Sequence, residues 1–97
     1  MIVIPELVVG QIVTVKEFSY TNKYGGTELS ELEPIYEKPA KVKIIKRWDD
    51  YECGERAWAL PVDEELIKFL VENEAEIKPG FEVPIVYVGE FDLVRGV

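Results

Sequence analysis

Arg56-Ala-Trp-Ala-Leu-Pro-Val-Asp-Glu-Glu-Leu-Ile-Lys-Phe-Leu-Val71 changes its hydrophobic period partway along. The first five residues, Arg56-Ala-Trp-Ala-Leu60, read as a short strand. From Val62 the apolar residues fall at Val62, Leu66, Phe69 and Leu70, the i, i+4, i+7, i+8 spacing of one helix face. Ile67 and Val71 widen that stripe. Pro61 precedes the helix, and Asp63, Glu64 and Glu65 lie in or beside its first turn, where carboxylates complement the helix dipole. A strand therefore runs into a helix here, and the class of the domain depends on what flanks the pair.

Upstream, Lys41-Val-Lys-Ile-Ile-Lys-Arg-Trp48 reads as a second strand before it. Val42, Ile44 and Trp48 alternate with Lys41, Lys43 and Arg47, and Ile45 breaks the simple pattern. Asp49-Asp-Tyr-Glu-Cys-Gly-Glu55 between the two strands reads as an acidic hairpin loop. Further upstream, Leu7-Val-Val-Gly-Gln-Ile-Val-Thr-Val15 is rich in β-branched residues and continues with weaker alternation to Tyr20. Gly10 inside it marks a bend or bulge. Residues 21–40 form a long connection, of a length often associated with function. Within it, Thr21-Asn-Lys-Tyr-Gly-Gly26 signals a turn, and Thr27-Glu-Leu-Ser-Glu-Leu-Glu33 is expected to form one or two helical turns.

Downstream, Lys78-Pro-Gly-Phe81 predicts a type II turn, with Pro at its second position and Gly at its third. A last hairpin is expected from Glu82–Val88 and Phe91–Arg95 around a two-residue II′ turn at Gly89-Glu90. Pro84 cannot donate to a ladder and marks an edge or a bulge. The element order is β-β-β-α-β-β. That is the order of an OB-like five-stranded barrel with a helix between strands three and four, in a mostly β domain. An SH3-like or other small barrel or sheet with one packed helix gives a similar string.

Ninety-seven residues form one domain, 1–97. With 47% apolar and 31% charged residues, the balance is that of a folded soluble chain rather than a disordered one. The absence of histidine removes the usual general base and the commonest zinc ligand. Cys53 is the single cysteine, so neither an intrachain disulfide nor a Cys–His nucleophile is available. Neither serine, Ser19 or Ser30, lies in G-x-S-x-G, and neither a P-loop nor a dinucleotide-binding glycine motif occurs. Only carboxylate or metal-assisted chemistry stays open, so no enzymatic activity and no cofactor are expected. The N-terminus has no basic region, and Glu6 interrupts its apolar run, so it does not read as a signal peptide. No apolar run approaches the ~18 residues of a membrane span, and the expected location is cytoplasmic. One Gln, two Asn and abundant Glu, Lys, Val and Ile fit a thermophile's protein.

The net charge of −8 repels nucleic acid and anionic membrane as a whole. Its distribution is uneven. Lys38, Lys41, Lys43, Lys46 and Arg47 fall within ten acid-free residues, leaving six basic against 19 acidic residues elsewhere. Cations interleaved with aromatic faces are what single-strand binding uses. Lys41, Lys43, Arg47, Tyr24 and Tyr36, with Trp48 or Trp58 as a stacking element, therefore make the candidate ligand site. Lysines on an exposed strand also guard an edge against aggregation. The two tryptophans are expected to pair across strands. On the inner face such a pair is core packing, the reading that is preferred; on the open face it is a platform for bases or sugars. Asp49, Asp50, Glu52 and Glu55 do not match a calcium-loop spacing and read as a solvated hairpin tip, so no metal site is assigned. The acids on and beside the helix read as its wet face.

The expected role is a small non-enzymatic binding module for single-stranded nucleic acid or another polyanion. The alternatives are a protein-interaction or structural subunit, acting as a homo-oligomer or through the acidic helix as a docking surface for a basic partner, and a carbohydrate-binding module. The chain is expected to be a monomer or homodimer.

Overall fold

The computed structural model of the chain describes residues 7–24, 27–29, 39–50 and 54–94, with the backbone alone at 27–29, 50 and 91. The strands are β1 (Ile12–Val15), β2 (Ser19–Thr21), β3 (Thr27–Leu29), β4 (Ala40–Asp50), β5 (Gly54–Pro61) and β6 (Val86–Gly89). One helix, α1 (Glu64–Glu72), lies between β5 and β6, and a 3-10 turn, Glu90–Asp92, follows β6. Among the described residues the fold is thus mostly antiparallel β-sheet with one helix. The six strands form one sheet in the order β1-β4-β5-β6-β2-β3.

That sheet is not closed into a barrel. β1, β4, β5 and β6 form a meander, each strand pairing with the next along this series. A Greek key would instead return the fourth strand beside the first. The side of β1 away from β4 is met by the chain leaving the 3-10 turn. Val15 bridges Leu93, Val94 N donates to Thr14 O at 2.9 Å, and Lys16 N donates to Asp92 O at 2.9 Å.

Alternation builds the core. Val42 and Ile44 of β4, Ala57 and Ala59 of β5, and Val86 and Val88 of β6 are all buried. α1 lies against β5 and buries Leu66 and Leu70. The inner positions of β5 are alanines, which leaves room for the helix. Each buried leucine contributes roughly 1.5–3 kcal/mol. Phe18, Tyr20 and Phe69 close one side of the core, with all three ring-centroid distances at 6.4 Å.

Backbone and side-chain bonds tie the helix to the sheet at both ends. The Asp63 carboxylate accepts from Lys41 N at 3.0 Å, while its carbonyl accepts from Ile67 N. Past the C-terminus, Asn22 bridges Ala75, and Glu76 N donates to Thr21 O at 2.7 Å. The type II turn at Lys78–Phe81 is present, with Gly80 at φ 91° and Phe81 N donating to Lys78 O.

Four expectations are corrected. The helical stripe is narrower than its sequence pattern, since Val62 precedes α1 and Val62 and Val71 are both exposed. Thr27–Leu29 is a strand rather than a helical turn, because it pairs with Ser19–Thr21. The first strand is broken: Gly10 (φ 91°) turns the chain before β1, and 16–18 separate β1 from β2. Gly89-Glu90 does not make a II′ turn. Gly89 has φ −115°, and its N–H donates to Asp92 Oδ2 at 2.7 Å, which draws the chain into the 3-10 turn instead. Among the described residues, no helix is long and apolar enough to cross a membrane.

Candidate functional site

A bulge in β4 organises the outer face of the sheet. Ile44 pairs with Ala59 and Lys46 pairs with Trp58, so Ile45 is an extra residue opposite none. Side chains alternate faces along a strand, and one inserted residue exchanges the two faces beyond it. Before the bulge, Val42 and Ile44 are buried while Lys41 and Lys43 are exposed. After it, Lys46 and Trp48 face out, and Arg47 shares the inner side with its partner Ala57.

Lys41, Lys43, Lys46 and Trp48 therefore stand in one file along β4. Backbone partnership extends a row from Lys46 through Trp58 of β5 and Tyr87 of β6 to Ser19 of β2. Trp58 is the centre of this surface. Its ring meets Trp48 edge to face at 6.5 Å and Tyr87 at 6.2 Å. The ammonium groups of Lys46 and Lys78 lie 5.0 and 5.6 Å from its centroid. Each such cation–π contact contributes about 0.5–1 kcal/mol at an exposed site. Thr21 Oγ1 donates to Tyr87 Oη at 3.2 Å. Trp48 is the most open ring of the three, at 37% exposure. No carboxylate occupies an outward position from Lys41 to Trp48 or from Arg56 to Leu60.

The tryptophan pair thus forms as expected but on the outer face, which corrects its preferred assignment to the core. The bulge at Ile45 is the reason. The same bulge removes Arg47 from the lysine file. Arg47 Nη2 donates to Asp49 Oδ1 at 2.9 Å and to Glu55 Oε1 at 3.0 Å. Glu55 Oε1 also accepts from Leu7 N at 3.1 Å. That network fastens the residues before β1 to the β4–β5 hairpin, and Arg47 is a structural cation. Tyr24 is exposed at the end of β2, where Asn22 Oδ1 accepts from its backbone N–H and the Lys23 ammonium lies 5.6 Å from its ring. None of these contacts joins it to the Trp58 cluster. Tyr36 lies outside the described residues.

Lys46, Lys78, Tyr87 and Thr21 were not among the candidate residues. Lys46 and Tyr87 carried a signal: one lies in the basic run, and the other stands between two core valines. Lys78 carried none, since only the chain's return after the helix brings it to Trp58.

Away from this face, burial pushes the Asp92 carboxyl above the usual carboxylate range, against the pull of its bond from Gly89 N–H. Glu17 adds to the rise, while Arg56 and Lys16 oppose it. The acids on and near α1 are mostly exposed, in keeping with a wet helix face. No cluster of three or more Cys, Asp or Glu side chains suited to a metal ion occurs among the described residues. Comparison with protein-family models, curated proteins and solved structures finds no match to this chain.

Proposed function

We propose that this chain is a small non-enzymatic binding module whose outer sheet face takes single-stranded nucleic acid. The observation that carries this reading is the environment of Trp58, an aromatic ring with two other rings at its edges and two ammonium groups over it. Lys41, Lys43, Lys46 and Lys78 would neutralise phosphates, and the open Trp48 ring would stack a base. Both contributions suit any sequence, because every base has a π face and every nucleotide a phosphate. The acid-free file along β4 supplies local attraction within a chain of net charge −8. Screening acts over about 8–10 Å in ordinary buffer, so a ligand lying on the face is governed by the nearest charges.

The lysines over Trp58 favour a polyanion over a neutral sugar. Among the folds weighed, the β1-β4-β5-β6 meander and the Val15–Leu93 bridge support an SH3-like arrangement with an inserted helix more than an OB-like one. A reducing, cytoplasmic compartment fits the single cysteine.

Fluorescence anisotropy of labelled single-stranded DNA and RNA at two salt concentrations tests the reading. Binding should weaken sharply with salt, and Trp48→Ala or Lys43→Ala should weaken it further. Binding that ignores salt would point to stacking alone and favour the sugar-binding alternative. No binding of either strand at low salt would overturn the proposal.

A further inference from the structure

We propose that the bound strand lies lengthwise along β4 and that the site ends after about four nucleotides, an inference that rests on the nucleic-acid reading above. Two paths over this face are geometrically available. One crosses the sheet along the row Lys46, Trp58, Tyr87 and Ser19, and its two cations, Lys46 and Lys78, are both gathered at Trp58. The other follows β4 past Lys41, Lys43, Lys46 and Trp48, and offers three ammonium groups and the most open ring. Phosphates recur at every nucleotide and need a cation at intervals. The path along β4 meets that need.

The file has ends. Lys41 to Trp48 spans seven residue steps, about 23 Å at ~3.3 Å per residue. Beside Lys41, the Asp63 carboxylate is bound to the strand's own N–H at 3.0 Å. Past Trp48, Asp49 and Glu55 are turned to the inner side with Arg47, and the strand itself ends at Asp50. A carboxylate at one end and the end of the strand at the other thus bound the file, and the length between them suits about four nucleotides, the short end of the range for single-strand binding folds. The two ends also differ in chemistry. The base stacks at the hairpin end, and the phosphates are held toward the helix end.

The test is anisotropy with labelled oligothymidylates of two, four, six and twelve nucleotides, each over a salt series. Affinity should rise steeply from two to four nucleotides and then level, apart from the statistical gain of extra registers. The salt slope should reach about 2–3, since each phosphate neutralised on a single strand adds ~0.7. Lys41→Ala should lower affinity several-fold and reduce that slope by about 0.7, although it sits at the opposite end from Trp48. Affinity and slope that keep growing to twelve nucleotides, or a Lys41→Ala protein that binds as before, would overturn the bounded lengthwise site and leave the nucleic-acid reading standing. No binding at any length in low salt would bring down both.

Discussion

The Lys46 ammonium lies 5.0 Å from the centre of the Trp58 ring, and the two residues are backbone partners across β4 and β5. The contact follows from the register and does not depend on a long side chain reaching across the surface. It exists because Ile45 is skipped in the pairing. Lys46 and Arg47, neighbours of like charge, therefore have different work, and substitution separates them.

Lys46→Ala should leave stability within about 1 kcal/mol, the scale of one exposed cation–π contact, and should weaken oligonucleotide binding. Arg47→Ala should cost about 1–3 kcal/mol, because Glu55 is 13% exposed and loses its guanidinium. Binding by that variant should be unchanged wherever it is folded. Urea denaturation and anisotropy measure the two effects. A reversed ranking would contradict the assignment of faces.

Two glycines with left-handed backbones should respond differently to alanine. Gly54 (φ 77°) and Gly80 (φ 91°) both carry the conformational penalty, about 1–2 kcal/mol. At Gly80 the added methyl meets open space, whereas at Gly54 it runs into Glu90 Oε1. Gly54→Ala should therefore lower the thermal midpoint more than Gly80→Ala. Equal losses would mean that Glu90 moves aside freely.

Leu66→Ala should cost about 2–5 kcal/mol through the cavity it leaves. Val71→Ala should be neutral or slightly stabilising, since Val71 is 55% exposed and alanine is the better helix former. Denaturant midpoints decide this. A large loss at Val71 would place it in a packed interface.

The Asp92 carboxyl titrates above its ordinary value, with burial as the leading cause. A raised acid binds its proton more readily in the folded chain than in the unfolded one. Its ionisation therefore subtracts stability as pH rises from the unfolded value through the folded one. Asp92→Asn keeps an acceptor for Gly89 N–H and removes the charge. It should raise the melting temperature at pH 7, with the difference shrinking below pH ~4, where the carboxyl is protonated in both states. A variant less stable at pH 7 than at pH 4, relative to the parent, would reverse the sign and refute the argument.

If the scarcity of Gln and Asn reflects thermal adaptation, the expected melting temperature is above about 65 °C, the upper end for domains from moderate-temperature organisms. Calorimetry measures it. A lower value would detach the scarcity of Gln and Asn from thermal adaptation.

Much of the sheet could be read along the chain. Lys41 to Ile44 alternates plainly, and the burial of Val42 and Ile44 follows from it. The helix was legible in the spacing of Leu66, Phe69 and Leu70, and the turn in Pro79-Gly80. What escaped depended on partners distant in sequence. Ile45 disturbs the alternation visibly, but only pairing with β5 decides that it is skipped, and Arg47 and Trp48 change sides with that decision. Thr27–Leu29 carried a local pattern compatible with a helical turn until β2 offered it a ladder. Gly89 looked like a hairpin glycine until the Asp92 carboxylate took its N–H. Lys78 reaches Trp58 only through the return of the chain after α1.

The unpaired residue at position 45 has a genetic counterpart. Face assignment past Ile44 depends on whether Ile45 is skipped or paired. A strand that kept Ile45 and paired it with Trp58 would turn Lys46 and Trp48 inward and present Arg47 and Asp49 on the outside. Losing the Ile45 codon would do the opposite: Lys46 would follow Ile44 directly opposite Trp58, and the cation–aromatic surface would survive in a regular strand. The bulge is thus the form in which β4 carries one residue more than its partner without surrendering that surface.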